Sequence, residues 1–197
     1  MSRYAGPKCR LCRSSAVKLF LKGEKCESPK CPVVRRQSAP GQHKRSRQKV
    51  SDFGYHLKEK QRVKKIYLIN EAQLKKYYEK SRQRLGNTGE IMLSLLERRF
   101  DNVLVRSGLA ASHAQARQII RHKHFKVNGR IVDIPSFLLK IGDKISFEKG
   151  RLLIEVTRPV WLSLDDKKAV LEITGLPKRE DVKEEINEQL VVEYYSR

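Results

Sequence analysis

The four cysteines of this chain lie within 23 residues, spaced Cys9-x2-Cys12-x13-Cys26-x4-Cys31, and none follows. Two short cysteine pairs about a dozen residues apart are the usual spacing of a structural zinc site. Each short turn presents two thiolates to one ion, and the segment between lets the halves close tetrahedrally. Lys8, Arg10, Arg13, Lys25 and Lys30 flank the sulfurs and are expected to favour the thiolate form. Four thiolates leave no open coordination position, so one Zn2+ here would be structural, not catalytic. Two disulfides would use the same residues but need an oxidising compartment that nothing indicates. An iron–sulfur centre would need a hydrophobic shield that the neighbouring residues do not supply. The expectation is a metal-stapled arm, too poor in apolar residues to fold alone.

Other chemistry-bearing patterns are scarce. The five histidines (43, 56, 113, 122 and 124) are not matched to a nucleophile. No Gly-rich phosphate loop occurs, and no paired carboxylates lie in an apolar setting, so the chain does not read as an enzyme. Its charge is more informative. The chain has 43 Lys/Arg against 22 Asp/Glu, a net charge of +21. Residues 1–86 hold 24 of those cations against 6 acids, whereas residues 158–197 hold 7 against 9. So one-signed a field repels itself unless a polyanion neutralises it. No apolar run approaches a membrane span, and the basic residues do not follow one amphipathic face, which favours nucleic acid over a membrane surface. No leader is read before Cys9, and no small-molecule substrate is indicated.

The elements that would hold these residues can be read from caps and periodicity. After the cysteines, Pro40-Gly41 marks a turn, and Lys44, Arg45, Arg47 and Lys49 form a basic loop strip suited to a phosphate backbone. Ser51 is a candidate cap for a helix over 52–69, and Asn70 with Gln73 for a helix over 71–85. Phe53, Leu57, Val63 and Ile66 suit one buried face, as do Leu74, Tyr77, Tyr78 and Leu85. The opposite faces carry Lys58, Arg62, Lys65, Lys75, Lys76, Arg82 and Arg84.

Thr88 is the expected cap of a further helix, in which Met92, Leu93, Leu96, Phe100, Val103 and Leu104 follow helical spacing up to Gly108. Ser112-x-x-Gln115 opens another, with Ala116, Ile119 and Ile120 inward. His113, Arg117 and Arg121 recur at four-residue steps, which is read as one outward face. Asn128-Gly129 then sets a two-residue hairpin turn, and "DKISF" supplies a returning strand.

"RRFDNVLVRSGLAASHAQARQIIRHKHFKVNGRIVDIPS" and "IGDKISF" closely resemble a small RNA-binding module shared by ribosomal proteins, pseudouridine synthases, tyrosyl-tRNA synthetases and a heat-shock ribosome-binding protein. That resemblance implies RNA contacts by Arg98, Arg99, Arg106, His113, Gln115, Arg117, Arg121, Lys123, Lys126 and Arg130. The phrases "RYAGPKCRLCR", "LFLKGEKC", "APGQHK", "SDFGYHLKEKQRVKKIY", "GNTGE" and "NEQLVVEYYSR" extend the likeness almost end to end, to the ribosomal-protein-four family of the bacterial-type small subunit. Membership implies binding to the 5′ region of small-subunit rRNA at a multi-helix junction and nucleation of assembly. It also implies a place near the path by which mRNA enters, beside neighbouring ribosomal proteins, with roles in translational accuracy and mRNA unwinding. The cytoplasmic ribosome is the implied location, an organellar one being the alternative. Further RNA-binding candidates are Arg3, Lys8, Arg10, Arg13, Lys22, Arg35, Arg36, Lys44, Arg45, Arg47, Lys49, Lys58, Arg62 and Lys65. Two features depart from the family: "RLLIEVTR" replaces a longer connection and reads as a strand, and Ser46 stands where a basic residue is expected.

The expected fold is α+β. A zinc-stapled basic arm (1–43) precedes a small helical domain (44–91) that the carboxyl end (178–197) completes. An inserted helix–hairpin RNA-binding module (92–157) is extended by short strands (158–177), with Trp161 as a core anchor. The competing readings are a zinc-dependent regulator binding DNA or mRNA, and an RNA-modification enzyme or accessory protein. The first lacks a clear recognition helix and the second a catalytic domain.

Overall fold

The computed structural model describes residues 4–36, 38–41, 49–147 and 156–196. Among these, the helices are α1 (Lys8–Ser15), α2 (Glu24–Glu27), α3 (Pro32–Arg35), α4 (Asp52–Ile66), α5 (Glu71–Arg82), α6 (Thr88–Glu97), α7 (Phe100–Arg106), α8 (His113–Arg121) and α9 (Glu188–Ser196). The strands are β1 (Phe125–Val127), β2 (Arg130–Ile131), β3 (Lys144–Phe147), β4 (Leu162–Asp165) and β5 (Val170–Ile173). None of these helices is long and apolar enough to cross a membrane.

Two compact units result: residues 1–89 with 186–197, and residues 90–185. The return to the first unit thus falls at 186, eight residues later than the composition suggests, because Glu184 pairs with Arg106 of the second unit. In the first unit, Ser51 Oγ accepts the Gly54 N–H at 3.3 Å and Asn70 Oδ1 accepts that of Gln73 at 2.8 Å, so both helix starts lie where the side chains place them. The α9 helix packs on α4 and α5 and buries Val191. Beneath it sits Lys60, almost fully buried, with Nζ 2.8 Å from Glu71 Oε1 and 4.0 Å from the Tyr194 ring centroid. Tyr195 stacks on Tyr78 at 4.9 Å and donates its hydroxyl to Glu71 at 2.8 Å. Leu85 and Phe53, expected inside, are exposed: Leu85 lies beyond the end of α5, and Phe53 meets Tyr194 at the surface with ring centroids 5.6 Å apart.

The second unit is a five-stranded antiparallel sheet, order β2-β1-β3-β5-β4, packed against α7 and α8. The short strands read at 158–177 are therefore integral to the sheet that holds the hairpin. Phe100, Leu104, Ala116, Ile120, Phe125, Ile145, Trp161 and Leu171 fill the core, with Phe100 edge-on to Phe125 at 5.9 Å. At the hairpin tip Asn128 and Gly129 both have positive φ (50° and 80°), as a two-residue turn matching strand twist requires. Asn128 also clasps the β3 start: its Oδ1 accepts the Lys144 N–H at 2.9 Å and its Nδ2 donates to Asp143 at 2.8 Å.

The long helix expected up to Gly108 is two helices. Arg99 is extended (φ −66°, ψ 139°) and bridges Leu138, while the amides of Phe100 and Asp101 donate to Phe137 O and Pro135 O. Apolar periodicity continues across this break, so the pattern alone does not reveal it. Asn87, not Thr88, caps α6, with its Oδ1 accepting the Gly89 N–H at 3.0 Å. Of the strand expected over 151–158, residues 151–155 lie outside the described residues, and 156–158 are irregular.

Candidate nucleic-acid interface

The cysteine arm is built from α1, α2 and α3. Cys12, Cys26 and Cys31 are buried, Cys9 is half-buried, and all four thiols are free. Lys22 N–H donates to Cys26 Sγ at 3.4 Å, and α1 packs on α3. Burial pushes the Cys12 and Cys26 thiols up, and the neighbouring cysteines push Cys12 further. In both, desolvation is the largest cause of the rise, ahead of the backbone N–H that each thiol receives. The donor set suits a soft divalent ion in type and burial. Yet among the described residues no group of three or more His, Cys, Asp or Glu is placed to hold one.

On the arm, Arg10, Lys22, Arg35 and Arg36 are exposed and Lys8 and Arg13 half-buried. Arg13 donates to the carbonyls of Ser38 and Ala39 at 3.0 and 3.3 Å, bracing the turn at Gly41. Arg3, Lys44, Arg45 and Arg47, with Ser46, lie outside the described residues. Lys49 and Lys58 are exposed, and Arg62 and Lys65 are half-buried. Burial and the adjacent Lys64 lower the Lys65 pKa.

In the helix–hairpin unit the expected contact residues divide into two groups. Arg121, Lys123, Lys126 and Arg130 are exposed around the end of α8 and the hairpin, with His122 and His124 beside them. Lys126 points off the sheet because its β1 neighbours Phe125 and Val127 point into it. Gln115 is exposed but caps: Ser112 Oγ accepts its N–H at 3.4 Å, and its Oε1 accepts that of Ala111 at 2.7 Å.

The other group is buried or half-buried and engaged with protein partners. Arg99 is 2% exposed, and its Nε and Nη2 donate to the two Asp101 carboxylate oxygens at 3.0 and 2.9 Å. Arg117 Nε reaches the same carboxylate at 2.6 Å. Arg106 forks onto Glu97 at 2.9 and 2.8 Å and also holds Glu184 at 2.5 Å. Asn102 Nδ2 donates to Glu97, and Asn102 Oδ1 accepts the N–H of buried His113 Nε2 at 3.0 Å. Arg98 donates to Leu139 O at 2.8 Å. The supposed outward face of His113, Arg117 and Arg121 is outward only at Arg121, because α8 turns its first residues onto α7.

Electrostatics follow from these contacts. Burial favours a neutral Asp101, but the Arg99 and Arg117 charges outweigh it and hold the carboxyl below its ordinary range. Burial lowers the His113 pKa to about 4: Asp101 opposes the shift, while Arg117 and Arg106 add to it. Glu97 and Glu184, gripping buried Arg106, keep that guanidinium charged. Sequence reasoning missed Glu97, Asp101 and Asn102; their one signal is the presence of two acids and an amide inside an otherwise apolar helical register.

The chain matches a family model described as the ribosomal protein S4/S9 N-terminal domain over residues 3–97, and one described as the S4 domain over residues 98–145. It is 50% identical over 208 residues to small ribosomal subunit protein uS4 of Magnetococcus marinus, covering all of both chains. The chain belongs to the uS4 family. Equally complete coverage relates it to uS4A of Symbiobacterium thermophilum at 46% and to uS4 of Desulfitobacterium hafniense at 48%. The family is one of structural ribosomal proteins, not enzymes. The second family model begins at Arg98, beside the break between α6 and α7, so it covers the Arg99–Asp101–Arg117 network and the exposed hairpin cations, while Arg106's partners Glu97 and Glu184 lie outside it.

Proposed function

We propose that this uS4-family chain is a primary rRNA-binding protein of the small ribosomal subunit. In this reading it holds a multi-helix junction in the 5′ region of the rRNA and nucleates assembly. Its further setting is the cytoplasmic ribosome, near the path by which mRNA enters and beside neighbouring ribosomal proteins, where it contributes to accuracy and unwinding. The observation that carries the reading is the cationic rim of Arg121, Lys123, Lys126 and Arg130, exposed around α8 and the hairpin while the deeper arginines are neutralised by protein acids. Such a rim tracks phosphates and the shape of a folded RNA rather than a base sequence. Phosphate contacts make affinity fall steeply with salt. The check is titration of a 5′-region rRNA fragment from 50 to 300 mM salt with duplex DNA as competitor. A flat salt response, or equal binding to the DNA, counts against the proposal.

We also propose that Cys9, Cys12, Cys26 and Cys31 hold one structural Zn2+. The free thiols, the burial of three of them and the amide donated to Cys26 support this donor set. The ion would supply net charge and cross-linking, drawing the arm tight; the chain supplies the four ligands and a cationic surface around them. Purified protein is expected to carry one equivalent of zinc by elemental analysis. Exchanging Cys9 and Cys12 for Ser should release it and loosen the arm while residues 92–147 stay folded by amide-exchange mapping. Retention of zinc in that variant removes these residues from the site.

A further inference from the structure

The chain has five asparagines, and only Asn128 is followed by glycine. Asn-Gly is the pair in which a side-chain amide is most readily lost, because glycine has no Cβ to shield its own nitrogen and its backbone turns freely. In that reaction the Gly129 nitrogen attacks Asn128 Cγ. A C–N bond forms, the Cγ–Nδ2 bond breaks, and Nδ2 leaves as ammonia with the proton that the Gly129 amide gives up. Water then opens the five-membered imide. Cleavage of the new C–N bond gives aspartate, and cleavage of the old one gives isoaspartate, with the main chain rerouted through the side chain. Both residues are exposed, and no atom lies within 4 Å of where a Cβ on Gly129 would stand, so water reaches the imide freely.

Against this reactivity, Asn128 is tethered to β3 three times. Its backbone N–H donates to Lys144 O at 2.8 Å, its Oδ1 accepts the Lys144 N–H at 2.9 Å, and its Nδ2 donates to Asp143 Oδ1 at 2.8 Å. Asp143 is anchored in turn: its Oδ2 accepts the Lys140 N–H at 2.7 Å, and its carbonyl accepts that of Ile173 at 3.1 Å. Swinging Cγ onto the Gly129 nitrogen strips the amide of both side-chain bonds, and the one to the carboxylate is of the stronger kind. We propose that Asn128-Gly129 is a latent self-modification site, held closed by Asp143, which converts to aspartate or isoaspartate when the start of β3 lets go. The product cannot re-form the clasp. A carboxylate at 128 faces that of Asp143 with no donor between them, and isoaspartate lengthens the backbone of a turn whose two-residue length sets the β1–β2 register. An isoaspartyl residue exposed at a hairpin tip is then a substrate of the class taken by carboxyl methyltransferases. The inference is independent of RNA binding.

The test holds full-length protein, Asp143→Ala, Asp143→Asn and an unclasped peptide of residues 125–131 in mildly alkaline buffer. Conversion is counted by peptide mass mapping and by methyl acceptance from an isoaspartyl carboxyl methyltransferase. Unmodified protein is expected to convert about a hundredfold more slowly than the peptide, as two hydrogen bonds must open, and Asp143→Ala about tenfold faster than unmodified protein. Asp143→Asn keeps one acceptor oxygen and should fall between them. Amide exchange at Val127 and Ile145 checks that the sheet stays paired; if Asp143→Ala opens it, Asp143→Asn carries the comparison. Unmodified protein converting at the peptide's rate would overturn the proposal. So would a paired variant converting no faster than unmodified protein, since the turn itself would then be the protection. A paired variant converting more slowly would make Asp143 a promoter of the reaction and overturn it equally. Asn128→Asp, which installs the product carboxylate, should speed exchange of the Lys144 amide by about tenfold. Protection kept there would sink the claim that the clasp cannot re-form.

Discussion

The two units use their cations in opposite ways. In the first, the arm and α4 present Arg10, Lys22, Lys49 and Lys58 to solvent, and Lys65 rests on hydroxyls. In the second, Arg99, Arg106 and Arg117 are spent on Asp101, Glu97 and Glu184, leaving a thin exposed rim. A planar guanidinium tolerates burial when carboxylates meet it fork to fork, which a flexible ammonium does less well. Lys60 shows what an ammonium requires: an aromatic roof and a carboxylate shared with Tyr195. A count of basic residues therefore overstates the cations that the second unit presents to solvent.

The contrast can be broken at its strongest point. Arg106→Met leaves Glu97 buried without its partner and should destabilise the second unit by about 3–5 kcal/mol, read as a lowered urea midpoint. An effect as small as that of a surface substitution would mean the network is ornamental. A smaller effect is expected from acid. His113 is neutral in the fold with its pKa near 4, against about 6.5 when unfolded, so the unfolded chain binds more protons between those values. Stability is thus fully present above pH 6.5 and declines as pH falls toward 4, by on the order of 3 kcal/mol in all. Below that, Asp101, held under its ordinary range, adds a further loss as it protonates. His113→Gln should flatten the pH 4–6.5 segment of the curve; a curve unchanged by the substitution would place the titration elsewhere. Smallest in stability is Arg121→Met, expected within about 0.5 kcal/mol of the parent while lowering rRNA affinity and the salt slope. Should it unfold the unit instead, the division between internal and rim arginines fails.

Much of the local structure was legible. Ser51, Asn70 and Ser112 cap because a side-chain oxygen needs only the amide two or three residues on, and Asn128-Gly129 turns because both residues accept positive φ. Family membership was legible too, since the quoted phrases run in order from the arm to the final helix. The break at Arg99 was not, because apolar spacing continues through it while its cause lies at Leu138. Nor was the fate of His113 and Arg117: four-residue spacing says that they share a face, not which neighbour covers it.

Charge, caps, turns and the cysteine spacing were thus determined within a few residues of chain, where covalent proximity supplies the partner. Which cations face solvent was decided only in three dimensions. Arg106 meets Glu97 nine residues back and Glu184 seventy-eight residues on, and the free energy of burying a charge depends on such partners arriving together.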